Sequence, residues 1–463
     1  MKVLTHLCAV TMNPDRDIIE DACICIEGDR IVAVCPTAEM PEPFRTAEHV
    51  DCSGKVVVPG MINTHTHLFQ TLLKGLGDDM DLKKWFSCMT GPAAVHLTTE
   101  DMATAALHGC VESLMSGVTT LVEYQYVNTQ DDMIDAVYDS FDQTGIRGFV
   151  CRGFMTTGED HGVPPALIEK TEHVIEHTRA AARRHNRPGG RVQIGIAPCM
   201  CWTVDPDAYR AVRKLADEEG LFITAHLSEN AFEVERAKES FGTTTAQFFD
   251  EIGFLGPDVL AVHCVHCNSR DIRLMKMRDV KVSHNPCSML YVGLGVAPIP
   301  EMLAAGLTVS LGSDGPASNN NHSIFHVMKF AALVPKGVHE DPTIMTAEKA
   351  LEMATIDGAR AVGLEDEIGS LEPGKKADLA IMDLSESIWA TPLHRVPSAI
   401  VYSALGHEVT DVMVDGTFVI RNRQHTVLNI KELRAASQKA ADGLAGRAGV
   451  DHFKTRPWRS VTA

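Results

Sequence analysis

Val57-Val58-Pro59-Gly60-Met61-Ile62-Asn63-Thr64-His65-Thr66-His67 is the stretch on which the reading of this chain turns. The apolar run Val57–Asn63 reads as a strand, and two histidines spaced by one residue follow it. Residues i and i+2 of a strand point to the same face, roughly 6 to 7 Å apart. Two imidazoles so placed can grip one metal ion. In isolation the pair reads equally as two ordinary polar residues at a strand end, so the surroundings decide.

Downstream, short apolar runs alternate with longer helical patterns. Further candidate strands are Thr119–Glu123, Gly148–Cys151, Val192–Ala197, Phe222–Ala225, Val259–Val262, Val280–Ser283 and Thr308–Gly312. Helical patterns such as Asp207–Glu219 and Thr346–Ala361 lie among them. Eight such repeats over about 300 residues predict an α/β fold, a parallel (β/α)8 TIM barrel spanning 58–364. Upstream, Asp21–Ile26, a Glu27-Gly28-Asp29-Arg30 turn and Ile31–Val34 signal a hairpin. Near the other end Ala377–Met382 and Val409–Ile420 are strand-like, with Asp415-Gly416 as turn chemistry. The expectation is a small β-sandwich domain built from 1–57 plus 365–429. A C-terminal helical extension, 430–463, follows, with its helix over Ile430–Leu444.

Other metal-binding residue types fall where barrel strands should end. His226 closes Leu221–Ala225, His263 closes Val259–Val262, and Asp314 follows Leu307–Ser313. Strand C-termini of a barrel open onto one face, where active sites form. His65, His67, His226, His263 and Asp314 would therefore converge. Imidazole and carboxylate donors suit Zn²⁺, with Fe²⁺ as the other option. No lysine ends the fourth strand to carry a bridging carbamate, so one divalent ion is expected. Glu229, three residues after His226, is placed to face substrate without binding metal. A carboxylic acid there can protonate a ring nitrogen while water attacks the adjacent carbon. A divalent ion brings the pKa of bound water down to about 7. Asp314 can take the second proton and pass it to the leaving amine.

Composition narrows the alternatives. A net charge of −19 repels phosphate backbones, so nucleic acid is not an expected partner. No uncharged apolar run approaches the roughly 20 residues of a membrane helix, and no signal peptide is evident. Thirteen scattered cysteines read as reduced thiols of a cytoplasmic protein.

These residues together resemble the amidohydrolase superfamily, over nearly the whole chain. The branch is the one holding S-adenosylhomocysteine deaminases, guanine and 8-oxoguanine deaminases and s-triazine hydrolases. Pro59–His67 is similar to its first-strand motif and His226-Leu227-Ser228-Glu229 to its HxxE. Val262-His263-Cys264-Val265-His266, Ser283-His284-Asn285-Pro286 and Ser313–Asn320 match further motifs. The resemblance implies metal ligands His65, His67, His226 and Asp314, with His263 polarising the attacking water and Glu229 as proton shuttle. It also implies a homo-oligomer. The segments Gly293–Met302 and Glu352–Arg360, and the tail Arg456–Ser460, are similar to melamine deaminase and atrazine chlorohydrolase. Adenosine-type deaminases carry His in the fourth-strand motif, where Ala197-Pro198-Cys199 has Cys.

Weaker candidates for substrate contact are Gln70, Trp85, Gln125 beside Tyr124, Cys199, Ser318 and Asn319. His266 and His284 read as structural. Cys264 and Cys267 lack a second pair and do not read as a zinc site. Gly369–Lys376 nearly fits a phosphate loop, but Lys376 stands where Ser or Thr is needed. The H-x-E and P-C-x-x-C signature of another zinc-deaminase class is absent.

The expected function is hydrolytic deamination of a purine, pterin, pyrimidine or s-triazine ring. Alternatives are a chloro-s-triazine dehalogenase and an S-adenosylhomocysteine or methylthioadenosine deaminase. A non-catalytic metal or ligand binder would have no use for Glu229.

Overall fold

The computed structural model describes residues 1–455, and the tail motif Arg456–Ser460 lies outside them. Eight parallel strands form the central sheet: β1 (Met61–Thr66), β2 (Val118–Gln125), β3 (Arg147–Phe154), β4 (Val192–Pro198), β5 (Ile223–Leu227), β6 (Val259–His263), β7 (Lys281–His284) and β8 (Val309–Leu311). They lie side by side in sequence order, with helices between them. β8 returns to β1 through polar contacts. The Asp314 N–H donates to the His65 carbonyl (2.9 Å) and Thr64 Oγ1 donates to the Leu311 carbonyl (3.0 Å). The result is the (β/α)8 barrel expected.

The helices follow local chemistry. In Pro206–Glu219, the Asp205 side chain caps the amides of Asp207 and Ala208, proline occupies the first turn, and Gly220 ends the helix at φ +66°. Tyr209, Val212, Leu215 and Ala216 form its buried stripe.

Two expected elements are divided, and a third turns where its sequence predicts. Val57–Asn63 is two strands. Val56–Pro59 pairs with Leu379–Met382, and β1 begins one residue later at Met61. Gly60 makes the junction, where a Cβ would fall 2.0 Å from Thr119 Oγ1. The Thr346–Ala361 pattern is broken at Thr355 (φ −126°, ψ −94°), whose hydroxyl bonds the Leu351 carbonyl. Val409–Ile420 is a hairpin, Val409–Val414 and Thr417–Arg421, turning at Asp415 and Gly416 with φ +47° and +71°.

Strands from both termini join in one nine-stranded mixed sheet. Leu4, Leu7, Ile24 and Ile26 share a core with Leu379, Ile381 and Met413. This sheet is tied to the barrel by Arg147 at the start of β3. Its guanidinium grips Asp378 with two bonds (2.7 and 3.1 Å) and reaches Asp415. The helix Ile430–Ala448 packs on Thr99–Met115, where Arg447 pairs with Asp101.

Candidate active site

His65, His67, His226, His263 and Asp314 meet at the C-terminal mouth of the barrel, all buried. Their donor atoms form two overlapping sets, His65/His67/His226 and His65/His263/Asp314, each within 4.8 Å. Asp314 Oδ1 lies 3.5 Å from His65 Nε2 and 3.4 Å from His67 Nε2. Ligands about 2.1 Å from a tetrahedral ion stand about 3.4 Å apart, so these spacings suit one. Both ring nitrogens of His65, and His226 Nδ1, are buried without a hydrogen-bond partner. Orphaned imidazole nitrogens beside a carboxylate are what a divalent cation would satisfy. The cluster fits a metal.

The supporting contacts sort the histidines. His67 Nδ1 donates to the Tyr124 carbonyl (2.8 Å), which leaves the Nε2 lone pair for a metal. His263 is the opposite tautomer. The Asn285 amide nitrogen faces both the Ser283 carbonyl and His263 Nδ1, each at 3.2 Å, so it donates to that ring nitrogen. His263 Nε2 then carries the proton and offers a donor to the cavity. His263 also belongs to the second donor set, with His65 and Asp314.

Burial holds the imidazoles neutral. It is the main cause that brings His67 down to about 4 and His263 to about 3, and it lowers His226 as well. Burial alone would raise Asp314, but the surrounding imidazoles, His65 foremost, hold it well below the usual range. Glu229 goes the other way. Desolvation first, then the charges of Asp314 and Glu233, push it well above an ordinary carboxyl. The site thus pushes its two carboxyl groups in opposite directions, an arrangement suited to acid–base work.

Backbone strain marks the same places. Ser228, His263, Cys264 and Asp314 all adopt positive φ, from +50° to +72°, at the ends of β5, β6 and β8. L-residues there cost free energy and cluster at functional sites.

The cluster opens into a cavity of about 560 Å³. Of the substrate-contact candidates, Gln70, Trp85, Cys199 and Ser318 line it. Gln70 Nε2 donates to the Tyr126 hydroxyl (3.3 Å), and Trp85 Nε1 donates to the Ala317 carbonyl (3.0 Å). Burial pushes the Cys199 thiol up to about 12, so it lines the wall as a neutral group. Two expected contacts do not reach the cavity. Gln125 turns into the protein and donates to the Val127 carbonyl (2.6 Å). Asn319 donates to the carbonyls of Ser313 (2.9 Å) and Asn321 (3.2 Å), bracing the loop after Asp314.

Sequence reasoning missed several residues. Tyr126 lines the cavity with its ring 4.9 Å from His67. Tyr124, which the sequence offered beside Gln125, packs beneath the cluster, 4.4 Å from the His226 ring, and does not line the cavity. Strand periodicity puts Tyr126 on the same face, and that signal was available. Buried Glu123 accepts the Leu68 N–H (2.8 Å) and so fixes the chain just after His67. His161, Trp202 and Phe232 build an outer aromatic wall from three separate segments, Phe232 from the start of the helix Ala231–Phe241, with ring centroids 5.3 to 5.8 Å apart. No local pattern announces that meeting. His266 is exposed, whereas His284 is buried.

The profile of the amidohydrolase family matches residues 56–419. The chain belongs to the amidohydrolase family. Among its relatives is a 5-methylthioadenosine/S-adenosylhomocysteine deaminase of Symbiobacterium thermophilum, 36% identical over 93% of this chain and 96% of that one. A 5'-deoxyadenosine deaminase of Methanobrevibacter smithii is 36% identical over 85% and 88%. Among solved structures, an adenosine deaminase from Xanthomonas campestris with bound zinc superposes with a TM-score of 0.89, at 28% identity over 96% and 98% of the chains. An atrazine chlorohydrolase of Arthrobacter aurescens shares the fold (TM-score 0.89, 24% identity, 95% and 100% covered). This amidohydrolase is thus a hydrolase whose relatives include deaminases, and it carries a His/Asp cluster able to hold metal. Among its described residues no helix is long and apolar enough to cross a membrane.

Proposed function

We propose that this amidohydrolase is a single-metal aminohydrolase of a small nitrogen heterocycle, releasing ammonia from a ring C–NH₂ carbon. The observation that carries this is Glu229. A carboxyl group that burial makes hold its proton more tightly than usual lines the same cavity as the metal-binding cluster. Hydrolysing an aromatic C–N bond needs such an acid, because a protonated ring nitrogen makes the neighbouring carbon electrophilic.

His65, His67, His226 and Asp314 would hold the ion, with zinc the first choice and iron the second. When bound it supplies the Lewis acidity that makes water a nucleophile near neutral pH. The residues do the rest. Glu229 donates its proton to the ring nitrogen. The His263 Nε2–H hydrogen-bonds the attacking oxygen and holds it in line. Asp314 takes one proton from that oxygen and delivers it to the departing amine, and the oxygen's second proton returns to Glu229 as the carbonyl forms and ammonia leaves. Gln70 and Tyr126 offer polar groups to the heterocycle edge, while Trp85 and Cys199 shape the wall beside it.

An adenine-type ring suits this reading, since the relatives above include adenosine-type deaminases. A chlorinated triazine is the second reading, supported by the sequence motifs shared with triazine hydrolases. Ammonia and chloride release should be measured on guanine, 8-oxoguanine, isoxanthopterin, cytosine, melamine, atrazine, methylthioadenosine, 5'-deoxyadenosine and S-adenosylhomocysteine, beside metal analysis. Ammonia from at least one ring is the expected result. Chloride release with no ammonia from any compound would overturn the first reading in favour of the second.

A further inference from the structure

Glu233 is buried on the first turn of the helix Ala231–Phe241, four residues beyond Glu229. One carboxylate oxygen accepts the Ser228 N–H (2.7 Å) and the other accepts the Glu229 N–H (2.9 Å). Thr245 Oγ1 donates a third bond to it (3.0 Å). The Asn230 side chain accepts the Glu233 N–H (2.8 Å), which fixes the carboxylate's own backbone.

This is not ordinary helix capping. Two other helices here have acids at the same third position, Asp101 and Asp271. Each returns to the backbone N–H of its own cap residue, Thr98 or Asn268. Glu233 is one methylene longer and passes over its cap, Asn230. It grips instead the two amides before the cap, one of which belongs to Glu229. The gripped segment is the strained one, with Ser228 at φ +50°. Left-handed backbone at a non-glycine residue persists only when its surroundings hold it there.

Glu229 needs such a hold. Its carboxyl is hydrogen-bonded by the adjacent Asn230, and His263 Nε2 stands 3.7 Å away, beyond bonding distance. The aim of the acid is therefore set chiefly by its backbone. We infer that Glu233 is a positioning residue for the reaction, clamping the Ser228–Glu229 peptide so that the Glu229 carboxyl meets the ring nitrogen. The inference rests on the proton-transfer role proposed for Glu229.

A double-mutant cycle on the zinc-loaded enzyme tests it, using the best ammonia-releasing substrate and long incubations to register slow variants. Glu233→Gln keeps the shape but puts an N–H donor against one of the two amides. It should lower kcat by about tenfold to a hundredfold, the scale of a misplaced group. KM should stay within about twofold and zinc content should not change. In a Glu229→Gln background the same substitution should cost nothing more, because the acid it aims is gone. Equal losses in both backgrounds would mean a merely structural residue and would overturn the inference. So would an unchanged kcat in Glu233→Gln beside a crippled Glu229→Gln. Full activity in Glu229→Gln alone would sink the proton-transfer reading itself. If Glu233→Gln does not fold, Thr245→Val, which loosens the carboxylate without removing it, is read by the same cycle.

Discussion

The His67 ring is held by Tyr124, whose main-chain oxygen takes the Nδ1 proton across 2.8 Å and so turns Nε2 toward Asp314. The contact links β1 to β2 and prepares a ligand before any ion arrives. Incubation with a strong chelator should therefore abolish ammonia release, and added Zn²⁺ should restore it to the preformed site. His67→Ala should lower bound metal per chain, measured by elemental analysis. Full metal content and full rate in that variant would remove His67 from the ligand set.

Glu229→Gln should retain metal and fold while losing at least about a hundredfold in kcat, the worth of a positioned acid. The pH profile gives a second reading. The carboxyl must be protonated to donate, so the wild-type rate falls as pH rises through its raised pKa. Glutamine has no such limb. A Glu229→Gln profile with the same alkaline fall would place that titration elsewhere.

The same raised pKa has a stability consequence of definite sign. The folded chain holds the Glu229 proton more tightly than the unfolded chain, whose glutamates titrate near about 4.3. Its favourable contribution is complete below that value and is lost as pH climbs through the folded pKa. At neutral pH the buried acid is therefore a burden. Glu229→Gln should raise the metal-free protein's melting temperature at pH 8 by a few degrees, and by less at pH 5. Calorimetry at the two pH values checks this, and a lower melting temperature at pH 8 would count against it.

Asn285 sets the His263 tautomer. Asn285→Asp puts an acceptor where the amide donor stood and moves the imidazole proton to Nδ1. His263 would then face the cavity with a bare lone pair. A kcat loss of at least about tenfold is expected, since a wrong tautomer at a catalytic histidine costs far more in the best-known case, the serine-protease triad. Zinc content should hold. Unchanged kinetics would show that the Nε2 proton is idle.

Arg147 and Asp378 form a buried pair between barrel and terminal sheet. Removing Asp378 leaves the buried guanidinium with Asp415 alone, so Asp378→Ala should cost about 1–3 kcal/mol in denaturant titrations. Zinc affinity should change little, because the pair lies at the N-terminal end of β3, away from the ligands.

The barrel was legible because its strands are short, apolar and fully buried, and because ligand-type residues terminate them. His65, His67, His226 and Asp314 stood out by position rather than by type. The divisions at Gly60 and Thr355 were not legible. One depends on the approach of Thr119 from another strand, the other on a hydroxyl turning back on its own helix. Gln125 and Asn319 misled because a polar residue near a strand end can serve the loop as readily as a ligand. The outer wall of His161, Trp202 and Phe232 is a product of tertiary packing alone.

The strand Val56–Pro59 runs straight through Gly60 into the strand bearing His65 and His67, and its partner Leu379–Met382 lies near the far end of the chain. One edge of that strand pairs early with Lys2–Val10, but the edge that meets Leu379–Met382 must wait until most of the protein has left the ribosome. Long-range pairing of this kind slows folding and leaves sticky edges open. The strand that leads into the enzyme's two paired histidines thus gains its second neighbour late in assembly, and a nascent chain that stalls before then would be a ward of the chaperones.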